Sequence, residues 1–235
     1  MSLRTIHVSL YTAAGAAWIL LIRTHEAMRR MLMIMPMAHG NRRVMLVSMM
    51  ASKGQLVAHP NAQMLLMTVA MMLPAAIPAA AFVGANTLKT RRAHSVVLFL
   101  ISYFSIWIAF LALALTAIRA LVPSGPVTTA GIGALAAIWQ VLPTKRTALR
   151  ACHRATRLPV LGWRALTGCL EFGGRHGLAC VASCGALMLV PLPTAITMVP
   201  VAGYVWLERH RRPSRAVRYA SAIGILGLAA LTLAT

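Results

Sequence analysis

The sequence contains no aspartate, and its only acids are Glu26, Glu171 and Glu208. A Ser-His-Asp arrangement therefore lacks its third member, and paired-carboxylate hydrolysis has almost nothing to work with. The apolar blocks hold no carboxylate of the kind that proton-coupled pumps and transporters carry within their spans. Cysteine is scarce as well: four residues in 235 do not make a disulfide scaffold, and free thiols are expected. Aromatic residues make up only 6% and form neither a repeated cage nor a bis-histidine haem pattern. These gaps leave no set of catalytic residues, and the chain is expected not to be an enzyme.

What is abundant is apolar and basic. The chain is 59% hydrophobic with a mean hydropathy of +0.75, and its apolar residues come in long blocks free of charge. About 20 such residues in a helix span the ~30 Å of a bilayer's hydrocarbon. Lys and Arg number 23 against three acids, a formal net charge of +20. In a soluble protein that excess points to nucleic acid. Here the cations sit in short runs between apolar blocks, at Lys89-Thr90-Arg91-Arg92, at Lys145-Arg146 and over 209–212, where the positive-inside rule places them. Nucleic acid is accordingly not an expected partner. Membrane lipids with anionic headgroups are, at about 1 kcal/mol per cation near the surface, together with other membrane protein subunits.

The expected fold class is all-α: a polytopic transmembrane helix bundle of six to seven spans with an interfacial Met-rich segment near the N-terminus. Residues 1–60 hold the N-terminal span and the Met-rich segment, and residues 61–235 the rest of the bundle. The spans are expected at about 7–22, 62–86, 95–121, 125–142, 174–190, 194–207 and 217–234. Pro74 and Pro78 should kink the second, with neighbouring helices covering the freed carbonyls. Between the first two spans, Met28, Met31, Met33, Met35 and Met37 lie between His25 and His39. Pro36 interrupts any helix there. The apolar stretch 44–58 is short and cut by Lys53, which suits an interfacial helix. The basic connections at 87–94, 145–170 and 208–216 alternate with the uncharged ones at 122–126 and 191–193. This places the basic side in the cytoplasm. The arginine-bearing 23–60 region then falls outside. Either it breaks the charge rule, or 44–58 crosses and reverses the N-terminus.

One run singles itself out. In HGLACVASCGALM, His176, Cys180, Cys184 and Met188 recur every four residues. Successive members share a helix face ~5–6 Å apart, but His176 and Cys184 are ~12 Å apart along the axis, too far for one ion. A metal takes Cys180 with Cys184, or His176 with Cys180, plus ligands from another helix. The second span offers Met64, Met67 and Met71 on one face. Thiolate and thioether together select Cu(I), whereas zinc wants more Cys or His. The candidate metal ligands are therefore Cys180, Cys184, His176, Met67, Met71 and Met188, with Cu(I) as the metal. The competing reading is architectural. Gly177, Ala179, Ala182, Ser183, Gly185 and Ala186 fill the same helix, small faces let membrane helices approach closely, and buried Cys and Met serve as apolar filler. The methionines between His25 and His39 are a second candidate copper contact. Cys152-His153 lies among cations that would lower a thiol's pKa, on what reads as a solvated basic face. Glu171 and Glu208 are expected to pair with nearby arginines, Glu208 with Arg211 or Arg212.

Several short patterns lie in a recognisable order. Met67, Ala70, Met71, Met72 and Pro74 form Met-x-x-Ala-Met-Met-x-Pro. Tyr103 and Trp107 follow, then Gln140, Pro143, Lys145, Leu149 and Cys152. Next come His176-Gly177, Cys180, Cys184 and Leu187-Met188, and finally Glu208-Arg209. Over roughly 60–230 the chain resembles a bacterial family of uncharacterised, predicted metal-binding integral membrane proteins. The chain departs from the family pattern at Met64, where the pattern has Trp, and at Ala148, where it has Cys. The pattern's Cys-x-x-Cys-Cys-Trp reads here as Cys180 to Gly185, with Ser183 in place of a cysteine and Gly185 in place of the tryptophan. The resemblance implies metal binding in the membrane.

Two functions follow from these observations. One is handling of Cu(I) between the second and fifth spans, or assistance to a copper membrane enzyme. The other is that of a non-catalytic accessory subunit of a larger membrane protein complex, held by helix packing and by its basic loops.

Overall fold

The computed structural model describes residues 2–34, 60–121, 125–154, 158–159, 162–190, 195–210 and 215–234. Among them every regular element is a helix: α1 (Leu3–Ile34), α2 (Pro60–Ala85), α3 (Arg92–Leu121), α4 (Pro126–Val141), α5 (Pro143–Cys152), α6 (Gly162–Met188), α7 (Ala195–His210) and α8 (Arg215–Ala234). Local chemistry marks several boundaries. The Ser2 hydroxyl accepts from the Thr5 amide at 3.1 Å, capping α1. Pro126 and Pro143 occupy first helical positions of α4 and α5, where the missing N–H is not needed. Leu142, just before Pro143, is extended at φ −65°, ψ 142°, as a residue preceding proline prefers. It turns α5 by 71° from α4.

The all-α expectation holds for the described residues, but the number of spans does not. Among the described residues three helices are long and apolar enough to cross a membrane, over Leu3–Thr24, Met64–Ala85 and Arg92–Ile118, or four if the bent pair α4–α5 counts as one span. Six to seven were expected. The shortfall has a physical cause. Helices α4 and α7 have 16 residues each, ~24 Å of helix against ~30 Å of hydrocarbon. Among the described residues, α8 counts as a shorter apolar helix over Ala216–Gly227. Helix α6 is long, but its first half carries Arg164, Glu171 and Arg175. The expected basic loop at 145–170 is instead largely helical, as α5 and the start of α6. The interfacial segment expected at 44–58, and Met35 and Met37, lie outside the described residues.

Helix α6 packs most extensively on α3, α4 on α8, and α1 on α2, with α2–α3 and α5–α6 next. The core runs through these pairs and is made largely of aromatic, Ala and Met side chains. Phe99, Tyr103 and Trp107, one helical turn apart on α3, are fully buried and face α6. There the ring of Phe172 lies 5.6 Å from Phe99, and that of His176 lies 5.7 Å from Tyr103.

Candidate metal site

The close approach of α3 and α6 begins with glycines. A Cβ on Gly173 would stand 2.6 Å from the Phe99 carbonyl oxygen, and one on Gly177 would stand 3.0 Å from the Cβ of Ile106. The Ser102 hydroxyl donates across the same seam to the Leu170 carbonyl at 2.7 Å. The architectural reading of the small-residue stripe therefore holds at Gly177 and at Gly185, where an added Cβ would stand 2.9 Å from the Phe110 ring, and Gly173 extends the same seam beyond that stripe. It does not compete with the thiols. One turn further along, Cys180 and Cys184 are both fully buried, and Cys180 Sγ shares a hydrogen bond with Tyr103 Oη at 3.0 Å. The glycines set the helix distance that brings Tyr103 onto the thiol.

Ser183 ties this stripe to two further helices. Its hydroxyl donates to the Cys180 carbonyl at 2.9 Å. It also lies 3.5 Å from Cys184 Sγ and 3.9 Å from the Sγ of Cys152, at the end of α5. Arg209, near the end of α7, donates to the same hydroxyl from Nη2 at 3.5 Å. Its Nη1 lies 3.4 Å from His176 Nε2, and because a guanidinium can only donate, that nitrogen accepts. The Ser183 hydroxyl thus links two thiols from two helices, Cys184 of α6 and Cys152 of α5, to a buried guanidinium.

A second polar group lies next to it. Lys145 of α5 is 1% exposed and donates to both carboxylate oxygens of Glu208, at 2.8 and 2.7 Å, and to Gln140 Oε1. Tyr204 Oη donates to Glu208 Oε1 at 2.6 Å, and the Lys145 ammonium lies 5.4 Å from the centre of the Tyr204 ring. The pair is dry and almost fully hydrogen-bonded, as a buried ion pair must be to hold. Glu208 takes a partner 63 positions away in sequence; Arg211 and Arg212, its expected partners, lie outside the described residues. Glu171 does pair locally, with Arg175 at 2.7 Å on an exposed face.

Cys152 also departs from its sequence reading. The thiol is buried, not on a solvated basic face. Helix α5 carries Lys145, Arg146 and Arg150. The neighbouring His153 ring sits between the carbonyls of Leu149 and Arg209, at 2.8 and 2.9 Å, and so pins α5 to α7. A cavity of about 190 Å3 opens beside these groups, between Pro78 and Phe82 of α2 and Cys152, His176 and Arg209.

Of the residues expected to bind metal, Cys180, Cys184, Met71 and Met188 belong to one buried cluster, and Met67 packs against it. His176 is buried, engaged by Arg209 and by the backbone of Cys152. Among the described residues no three His, Cys, Asp or Glu side chains gather closely enough to hold an ion. The soft donors that could hold one are therefore the thiols of Cys180 and Cys184, with Cys152 across the Ser183 hydroxyl. That composition suits a soft, low-coordinate ion and not zinc.

Sequence reasoning missed the joining of Lys145 to Glu208, and of Cys152 and Arg209 to Ser183. The signal was present, because Gln140, Lys145, Cys152, Glu208 and Arg209 all belong to the recognised patterns. No curated protein and no solved structure matches the chain. A family model described as "PpoB2: Copper chaperone" matches residues 62–232, a stretch that contains all four cysteines, Lys145 and Glu208. By that match the chain belongs to the PpoB2 family of copper chaperones.

Proposed function

We propose that this chain is a multi-pass membrane protein that carries Cu(I) as cargo on the paired thiols of Cys180 and Cys184. The supporting observation is the full burial of Cys180 and Cys184 one turn apart on α6, with Ser183 linking the Cys184 and Cys152 sulfurs to the buried Arg209. Binding replaces two thiol protons by one cuprous ion, giving a two-coordinate dithiolate of net charge −1 and releasing two protons. Transfer proceeds by exchange of one thiolate at a time for a ligand of the recipient, a copper-dependent membrane enzyme. Cys152 and the thioethers of Met188, Met67 and Met71 supply further soft donors on that route. His176 holds α6 to α7 through Arg209, with Met188 at the other end of the stripe. No residue is assigned a catalytic step.

The test is metal analysis of the protein purified in mild detergent and loaded anaerobically with Cu(I). Wild type should hold close to one copper per chain against a competing chelator, and Cys180→Ser/Cys184→Ser should lose it. Fresh wild type that retains no copper would sink the reading. The second reading, an accessory subunit of a membrane complex, draws on the absence of two of the pattern's thiols, at Ala148 and Ser183. It expects co-purification with other membrane subunits and no copper, so the same preparation distinguishes the two.

A further inference from the structure

We infer that Arg209 is the built-in counter-cation of the thiol site and makes it select a monovalent ion over a divalent one. The inference rests on the reading that Cys180 and Cys184 hold the metal. Arg209 is only 7% exposed. The adjacent carboxylate, Glu208, is already taken by Lys145 and Tyr204, and the ion pairs among the described residues do not include Arg209. Its contacts are long and neutral, to His176 at 3.4 Å and to Ser183 at 3.5 Å, while its buried Nε meets no partner. A cation taken out of water with so little in return is unfavourable unless an anion forms beside it.

The thiols are where that anion can form. Ser183 bridges the guanidinium to the sulfurs of Cys184 and Cys152, and Cys180 lies one turn from Cys184 on α6, fully buried. The other charges facing the site cancel or lie at its edge. Lys145 is neutralised by Glu208, and His153 and Arg154 line the adjoining cavity, with Arg154 exposed.

Charge counting then separates metals of the same coordination preference. Two thiolates with Cu(I) or Ag(I) carry −1, which Arg209 brings to zero. Two thiolates with Hg(II) are already neutral and gain nothing from the guanidinium. Loss of the positive charge should therefore weaken the monovalent ions selectively. A residue that merely packs α7 against α6 would weaken all three alike.

The experiment uses the full chain in detergent, in a Cys169→Ser background that removes the one cysteine other than Cys152, Cys180 and Cys184. Cu(I), Ag(I) and Hg(II) are each titrated against a competing chelator, with helical content checked for every variant. Arg209→Met should weaken Cu(I) and Ag(I) about tenfold or more, ~1.4 kcal/mol, and Hg(II) by less than about threefold. Arg209→Lys should restore the monovalent affinities. If Arg209→Met does not fold, Arg209→Gln takes its place. Equal losses for all three metals, or undiminished Cu(I) affinity in the neutral variant, would overturn the inference while leaving the copper reading intact. Absence of Cu(I) from wild type, or its retention in Cys180→Ser/Cys184→Ser, would instead overturn the copper reading itself and the inference with it.

Discussion

Lys145 shows how far a residue's role can lie from its sequence neighbourhood. It sits in a basic run, beside Arg146, and reads as a headgroup-facing cation. In the fold it is the buried partner of Glu208, with Gln140 and Tyr204 completing the network. Lys145→Met leaves the Glu208 carboxylate buried without its cation and should cost ~3–5 kcal/mol. Lys145→Met/Glu208→Met should recover most of that loss, because two apolar groups need no compensation. Thermal unfolding in detergent measures both, and a single variant as stable as wild type would exclude the pair. The wider lesson concerns reach. The i+3 and i+4 rule looks only one turn along the helix from Glu208, whereas the buried carboxylate takes a cation from another helix. That choice depends on how α5 folds back onto α7.

Among the helices, α3 and α6 are the pair on which the site depends. The periodicity of His176, Cys180, Cys184 and Met188 was legible in the sequence, and so was the small-residue stripe beside it. What could not be read was that both features serve one interface. Gly173→Ala places a methyl group against the Phe99 carbonyl and should destabilise by ~1–3 kcal/mol through overpacking. It should also weaken Cu(I) binding, since it moves Cys180 relative to Tyr103. Gly131→Ala in α4 is the matched control. A Cβ there meets nothing within 4 Å, so the change should be neutral, or stabilising by up to ~1 kcal/mol through helix propensity. Equal behaviour of the two variants in unfolding and copper titration would contradict the role given to the α3–α6 seam.

For the whole molecule, hydropathy identified the class of protein but overcounted its spans. Mean hydropathy cannot tell a helix that faces lipid from one that is short and sheltered by its neighbours. With α1, α2 and α3 long and apolar enough to cross, the chain should remain in the membrane pellet after alkaline carbonate washing and require detergent for release. Recovery in the soluble wash would count decisively against a spanning protein. Exposed apolar side chains on these helices, such as Val8, Ile101 and Leu113, fit contact with lipid tails or with neighbouring membrane helices.

Composition and local periodicity by themselves determined that the chain is helical, rich in membrane-compatible segments, short of acid–base groups and provided with two thiols one turn apart. These properties depend only on residue type and helical repeat. Tertiary structure alone decided that Ser183 links Cys184 to Cys152 and Arg209, that Lys145 neutralises Glu208, and that α4 and α7 are shorter than a bilayer is thick. Each of those outcomes depends on where one helix ends and which neighbour it meets, and neither is carried by any short stretch of sequence.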